Sequence, residues 1–388
     1  MPGREAETFS TWVREYGIRQ SELTAFPARF YIRAMSGISS SEPLKEWPLD
    51  GLETVSNCPV CQSPRRKLDY EGLIDQFSKC APGRWNLYCC QDCGSAYLDP
   101  RPTPSSISLA YSRYYTHKSA GSKNSRKWRQ LWQIAQRNRY LNKHLGYRVK
   151  PAFPLQFFVK KSRQGRFRSF VAHLHFPGPG ARLLDVGCGN GAFLLKMQSM
   201  GWDVCGVEVD ANSAQQARAS GLDVRIGLLA EADLPEKSFD AVHMSHVIEH
   251  LHDPAETLRL CQKLLKPGGQ IVIATPNYKA VGRSHFGTYW IGIDPPRHLV
   301  VFTESSLRNL MLKSGFKVSE VLRPPQRAAD VFRSHYVRLD EQCAGRADRL
   351  PSHIRQQSDE AAARADQAAQ ANPENREEVV LHGIKAGK

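Results

Sequence analysis

The sequence predicts an α/β fold, a doubly wound and largely parallel sheet with a small cysteine-bearing unit ahead of it. Three observations carry the prediction. Leu183-Leu184-Asp185-Val186-Gly187-Cys188-Gly189-Asn190-Gly191-Ala192-Phe193-Leu194 is an apolar strand pattern that runs into a glycine at every second position and then into helix formers. Asp203–Asp210, Ser238–Met244 and Gln270–Thr275 read as further short strands. Before all of these stand two Cys-x-x-Cys pairs, Cys58/Cys61 and Cys90/Cys93.

In the turn, the glycines let the backbone bend sharply and let a ligand approach closely, and the following helix offers free N–H groups. The spacing over Gly187, Gly189 and Gly191 is G-x-G-x-G. A dinucleotide site has G-x-G-x-x-G, so the ligand expected here is smaller and has no pyrophosphate. Asp185 ends the strand, where a ligand ammonium would meet it. The second strand closes on Glu208 and Asp210. Glu208 occupies the strand end at which a carboxylate grips ribose hydroxyls in doubly wound sheets.

Three more stretches complete the pattern: Ser238-Phe-Asp-Ala-Val242, Val247-Ile-Glu-His-Leu-His-Asp-Pro254, and Leu265-Lys-Pro-Gly-Gly-Gln-Ile-Val-Ile-Ala-Thr-Pro-Asn277. With the glycine turn they resemble the class I S-adenosylmethionine (SAM)-dependent methyltransferases. The resemblance implies a Rossmann-like seven-stranded sheet and SAM as cofactor. It places the cofactor at Asp185, Gly187, Cys188, Gly189, Gly191 and Glu208, with Ser245 and His246 lining its methionine end.

The 388 residues exceed one average domain, so a core with additions is expected. No apolar run reaches the ~18 residues of a membrane span, and the polar N-terminus does not read as a signal peptide. Ten cysteines without an export signal imply reduced thiols or metal ligands, and a cytoplasmic location. The net charge of +15 comes from one place. Residues 101–180 hold 17 Lys or Arg and no acid, and the rest of the chain has 36 basic against 38 acidic residues. An acidic partner is expected for that segment.

Residues 1–50 are assigned no function; Ser21–Met35 reads as a short helix interrupted by Pro27. The two cysteine pairs are separated by 28 residues. Each pair can place two thiolates on one ion, and together they make the closed four-thiolate set that zinc favours in structural sites. Cys90 and not Cys89 keeps the x-x spacing to Cys93. The small unit around them cannot bury much core and should depend on the metal. Tyr97-Leu98-Asp99-Pro100-Arg101-Pro102 then resembles the exit from the zinc ribbon in one methyltransferase group associated with glycan or modified-sugar biosynthesis. Gln62 departs from the glycine usual after the first knuckle.

The acid-free segment contains a predicted helix near residues 126–146, with Trp128, Leu131, Trp132, Ala135 and Leu145 on one face. Basic residues interleave with aromatics, including Tyr114, Tyr115, Tyr140 and Phe157. Three readings stand: an RNA-binding surface, aromatics packed on the catalytic domain while the cations reach water, or attraction to a phosphorylated carrier, nucleotide-sugar or anionic membrane surface.

His246-Val-Ile-Glu249-His250 matches the H-x-x-E-H pattern of some zinc peptidases. It follows a sheet strand where the methyltransferase pattern has its own such segment, so it is read as lining the cofactor and not as a metal site. Residues 276–302 form a long connection, the kind that carries function. Its aromatics, among them Tyr278, Phe286, Tyr289 and Trp290, are candidates to stack on a sugar or ring acceptor. His298 is the candidate base, or else an anchor for the helix starting near Thr303. It lies in a segment resembling the region where deoxysugar C-methyltransferases carry a Glu-His pair. Here Arg297 stands in the carboxylate's place, which lowers the imidazole pKa and leaves a guanidinium for an acceptor phosphate or carboxylate.

The expected organisation is therefore an unassigned segment at 1–50, a zinc ribbon at 51–103 and a basic helical connector at 104–178. The methyltransferase domain occupies 179–323 and 376–388, closed by an antiparallel last strand near Glu378–Ile384, and 324–375 is a helical insertion. The expected reaction is methyl transfer to a saccharide or glycan-biosynthesis intermediate. RNA methylation and non-catalytic SAM binding are the alternatives. The expected partners are a small-molecule or glycan acceptor and an anionic partner at residues 101–180.

Overall fold

The computed structural model describes residues 46–111, 128–152, 161–322, 328–339 and 350–386. The predicted helix over Ser21–Met35 and the aromatics Tyr114, Tyr115 and Phe157 lie outside them.

The N-terminal unit opens on β1 (Leu52–Glu53), followed by β2 (Arg66–Leu73), β3 (Trp85–Cys90) and β4 (Ala96–Leu98), which form an antiparallel meander. β5 (Arg101–Pro102) pairs back on β1 and closes the neck. Trp85, Leu87 and Leu98 alternate inward and are fully buried with Trp47 beside them. Each buried leucine contributes about 1.5–3 kcal/mol over exposure. Both cysteine knuckles end the same way. Gln62 N–H donates to Cys58 O (2.9 Å), and Gly94 N–H donates to Cys90 O (3.0 Å). Both residues take positive φ, +66° and +72°. That conformation explains the glycine usual at position 62, where a side chain is accepted at a cost.

α1 (Trp128–His144) and α2 (Lys161–Phe170) follow. The predicted apolar face is only partly right. Ala135, Tyr140, Leu141 and Leu145 are buried, against Phe167 and the sheet, but Leu131 is 37% and Trp132 46% exposed. Burial is confined to the C-terminal half, where the helix meets α2 and the sheet.

The central sheet has seven strands. β6 (Arg182–Val186), β7 (Asp203–Glu208), β8 (Asp223–Ile226), β9 (Phe239–Ser245) and β10 (Leu265–Pro276) are parallel, connected through α3 (Ala192–Ser199), α4 (Ala211–Ala219) and α5 (Pro254–Leu264). Their apolar residues alternate between the two faces of the sheet, as a sheet covered on both sides requires. Leu184, Val186, Val242 and Ile271 enter one core, and Leu183, Val204, Ala241 and Val272 the other.

Beyond β10 the long connection contains α6 (Val281–Phe286) and β11 (Val300–Val301). β11 pairs antiparallel with β4, so the ribbon's sheet takes its last strand from the connection after β10. This supplies partners to an edge that would otherwise stay unpaired. α7 (Glu304–Lys313), β12 (Phe316–Leu322), α8 (Ala328–Leu339) and α9 (Ser352–Ala371) come next. The alanines of α9, Ala361, Ala362 and Ala365, pack on Ala328 and Phe332 of α8. β13 (Glu378–Lys385) then inserts antiparallel between β10 and β12, giving the order β12-β13-β10-β9-β6-β7-β8.

Candidate active site

Strand order reverses at β6: β7 and β8 lie to one side, β9 and β10 to the other. Such a switch point leaves a crevice outside the carboxyl ends of the strands. The glycine turn sits there. Gly187 has φ +72°, and a Cβ on it would fall 2.4 Å from Val247 Cγ2. Gly191, at φ +78°, forms the N-cap of α3, and its Cβ would fall 2.3 Å from Leu222 Cδ1. Both positions demand glycine by backbone and by space. Cys188 is buried with its Sγ against Gly206, and burial pushes its thiol up. It fills the layer behind the turn.

Glu208 ends β7 and binds the turn to it. Its Oε2 accepts from Gly189 N–H (2.7 Å) and its Oε1 from Asp210 N–H (2.9 Å). Each oxygen has a second lone pair for a ligand hydroxyl. Asp185 is less free than its sequence position implies. It is buried, and its Oδ1 lies 2.7 Å from Nδ1 of His243, whose ring stacks on Phe193 at 4.1 Å. A chain of contacts thus joins β6 to β9 beneath the crevice. The donor chemistry suits a SAM-sized ligand: a carboxylate for two vicinal hydroxyls, a backbone turn with no room for side chains, and no cationic cradle for a pyrophosphate.

Ser245 closes β9, and His246 follows with φ +54°. The segment Ile248–His250 is a short 3-10 turn, so His246 and His250 do not share a helical face. His246 Nε2 donates to Glu378 Oε1 (2.9 Å) at the start of β13, and its Nδ1 lies 3.3 Å from Glu249 Oε1. Burial works against charge on this ring, but Glu249 and Glu378 outweigh it and raise its pKa.

His298 is 8% exposed and stands beside His250, with ring centroids 4.7 Å apart. Its Nδ1 lies 2.9 Å from Gly292 O. A carbonyl only accepts, so Nδ1 carries a proton, and in the neutral ring Nε2 keeps the lone pair. Leu299 N–H donates to Glu249 O, and Leu98 N–H to Leu299 O. β4 of the ribbon and the turn after β9 therefore hold the His298 segment between them.

Two expectations about this segment are corrected. Arg297 is not available to an acceptor: it is fully buried, and its guanidinium forks onto Asp75 (2.6 and 3.1 Å) and Asp294 (2.7 and 2.9 Å). Two buried carboxylates compel a cation between them. His298 does not anchor the following helix either. Thr303 caps α7 in a reciprocal capping box with Ser306. The aromatics of the connection are also partly withdrawn. Tyr278 and Trp290 are buried with the ribbon core, so among the four named residues Phe286 and Tyr289 alone remain half-exposed.

The ribbon cysteines converge. Cys58 Sγ lies 3.6 Å from Cys93 Sγ, Cys61 Sγ 3.5 Å from Cys90 Sγ, and all four sulfurs lie within 4.8 Å of one another. These spacings are far too long for disulfides. They approach the ~3.8 Å edge of a tetrahedron with ~2.3 Å zinc–sulfur bonds. The hydrogen bond between Cys58 and Cys93 lowers the Cys93 thiol and raises that of Cys58, as one proton shared between two close sulfurs would. Cys89 stands outside the cluster, with its Sγ 3.7 Å from Cys90 O. The donor set fits a closed zinc site.

Sequence reasoning missed Glu249 and His250 as neighbours of His298. The H-x-x-E-H pattern marked the right segment but the wrong grouping.

Residues 159–321 match a family model described as a methyltransferase domain. A ubiquinone biosynthesis O-methyltransferase from Caulobacter sp. (strain K31) is 37% identical over 146 residues, 34% of this chain and 56% of that protein. A probable S-adenosylmethionine-dependent methyltransferase from Mycolicibacterium smegmatis is 32% identical over 148 residues, 37% of this chain and 54% of that one. The chain spans about half the length of these curated relatives. Among solved structures, a SAM-dependent methyltransferase from Mesorhizobium loti aligns at 18% identity and a TM-score of 0.38, covering 57% of this chain and 97% of that one.

Proposed function

We propose that this chain, built around a methyltransferase domain, is a SAM-dependent methyltransferase acting on a hydroxyl of a small molecule. The observation that carries the reading is the glycine turn at the switch point, locked onto the Glu208 carboxylate, with a buried histidine of fixed tautomer beyond the neighbouring strand end. SAM supplies a methyl group on a sulfonium for in-line displacement. The chain's own part is to hold the acceptor in line and to take up its proton.

In this reading Glu208 receives the ribose hydroxyls, the backbone of Gly187, Gly189 and Gly191 lies along the ligand, and Ser245 and His246 line its methionine end. Asp185 and Cys188 support the turn from below. His298 Nε2 accepts the acceptor's proton, its Nδ1–H held on Gly292 O. Zinc at Cys58, Cys61, Cys90 and Cys93 is structural: it holds the sheet whose β4 pairs with β11, two residues beyond His298.

Oxygen as the methylated atom is supported by the O-methyltransferase relatives. A saccharide or glycan intermediate as acceptor rests on the resemblance of the ribbon and loop motifs and on Phe286 and Tyr289. Lys143, Arg148, Lys150, Arg163 and Arg166 are exposed on α1, α2 and the segment between them, which supports an anionic group on the acceptor or its carrier. No helix of the described residues is long and apolar enough to cross a membrane. The test is incubation with methyl-labelled SAM and fractionated cell extract. Label in a small-molecule hydroxyl fraction is expected; label only in RNA, or SAM binding with no transfer to any fraction, would overturn the reading.

A further inference from the structure

Glu249, His250 and His298 each offer one ligand atom, and the three atoms lie within 4.8 Å of one another. Glu249 is completely buried. Its Oε2 accepts from Thr275 Oγ1 (3.0 Å), and its Oε1 lies 3.3 Å from His246 Nδ1. A buried carboxylate is costly unless positive charge answers it. His250 Nδ1 lies 2.9 Å from Arg297 O and 3.2 Å from Tyr111 Oη, and His298 Nδ1 lies 2.9 Å from Gly292 O, so each ring carries a proton on that side. The remaining nitrogen of each ring has no hydrogen-bond partner among the described residues. His246 is shared between Glu249 and Glu378, so one imidazole side chain faces two carboxylates.

A carboxylate and two imidazoles thus meet in one place, each with a ligand atom to offer. Their outer contacts are those of metal ligands: each histidine donates its far N–H to a backbone carbonyl, and the carboxylate is held by a hydroxyl. We propose that Glu249, His250 and His298 bind a divalent first-row cation, a second metal site chemically distinct from the four thiolates of the ribbon. Two imidazoles and one carboxylate suit zinc, manganese, iron or cobalt and leave coordination positions open. This deepens the proposed function and rests on it for its role: an acceptor oxygen would enter an open position and ionise there by coordination. With the cation bound, His298 would serve as a ligand in place of the base role given to it above, and the hydroxyl proton would pass to water.

The experiment uses the full chain with its ribbon zinc in place and manganese as probe, because thiolates prefer zinc while nitrogen and oxygen ligands accept manganese. Free Mn²⁺ is followed by its electron paramagnetic resonance signal, and zinc by elemental analysis. One saturable Mn²⁺ per chain is expected. Thr275→Val, which keeps side-chain shape and removes the hydroxyl from Glu249, should weaken binding about 10–100-fold; Glu249→Gln should abolish it. Ribbon zinc should be unchanged in both, and SAM affinity unchanged in Thr275→Val. Absence of Mn²⁺ binding and of zinc beyond one equivalent in the wild-type chain would overturn the proposal, as would wild-type affinity in both variants. If Glu249→Gln does not fold, Thr275→Val and His250→Gln decide it. SAM affinity, measured separately by calorimetry, distinguishes failure of this site from failure of the methyltransferase reading.

Discussion

Arg297→Met should destabilise the contact between the ribbon and the connection after β10. The guanidinium is fully buried and makes charged hydrogen bonds to both oxygens of Asp75 and both of Asp294, with a further bond to Ala110 O (3.0 Å). The two aspartates are 5% and 6% exposed, so removing the cation leaves two desolvated carboxylates facing the same space. Breaking a buried ion pair from one side costs about 3–5 kcal/mol. Asp75 keeps backbone donors at Ser78, Cys80 and Ala81, which places the loss nearer the lower figure. With a urea slope of roughly 3 kcal/mol/M, the unfolding midpoint should fall by about 1 M. Equilibrium denaturation followed by tryptophan fluorescence measures this. Replacing Asp75 and Asp294 by Asn in the same chain should recover much of the loss, since no unpaired charge then remains. A loss below about 1 kcal/mol, the range of an exposed pair, would refute the reasoning. So would a triple variant no more stable than Arg297→Met.

Glu208→Ala should weaken SAM binding about tenfold or more by calorimetry, because the carboxylate proposed to receive two hydroxyls is removed; unchanged affinity would refute the assignment. Cys90→Ser should lose the zinc found by elemental analysis, while Cys89→Ser keeps it, and the reverse would place the wrong sulfur in the site. His298→Ala should retain SAM affinity but lose roughly 10²–10⁴-fold in turnover; full activity in the folded variant would remove His298 from the reaction. Acid should destabilise the fold through His335 and His173, whose pKa values burial lowers to about 4. Their unfolded value is about 6.5. The folded state therefore binds these protons less tightly, and stability is full above pH 6.5 and lost as the pH falls toward 4. The slope is about 1.4 kcal/mol per pH unit for each group. His335 is the cleaner case. Its Nε2 accepts from Ile291 N–H (3.0 Å) and its Nδ1 donates to Val331 O (2.9 Å), so the charged ring would lose an acceptor. Melting temperature against pH, in the wild type and in His335→Gln, checks this; equal slopes in the two would refute it.

The glycine turn, the strands around it and the cysteine knuckles were legible because they are written locally. Gly187 and Gly191 are required by their own φ values and by the neighbours that a Cβ would strike, and the inward alternation of β6 or β10 is a property of the strand itself. The same holds for α9, whose alanine-rich run forms a helix by propensity and packs closely because its side chains are small. Gln62 was legible as a departure, and the positive φ at that position supplies its reason.

Tertiary structure decided the rest. Arg297 is next to His298 in sequence, yet its charge is answered by Asp75, 222 residues away, and has no part in an acceptor site. Tyr278 and Trp290 looked like stacking platforms and became core when the ribbon folded against their loop. Val300–Val301 was a stretch of connection until the open edge of β4 made it a strand. Glu249 and His298 are 49 residues apart, and what unites them is the Leu299 N–H bonded to Glu249 O. Backbone preference acts over a few neighbouring residues, whereas a charge, a hydrogen-bonding edge or an apolar ring is satisfied by whatever the fold brings within a few ångströms.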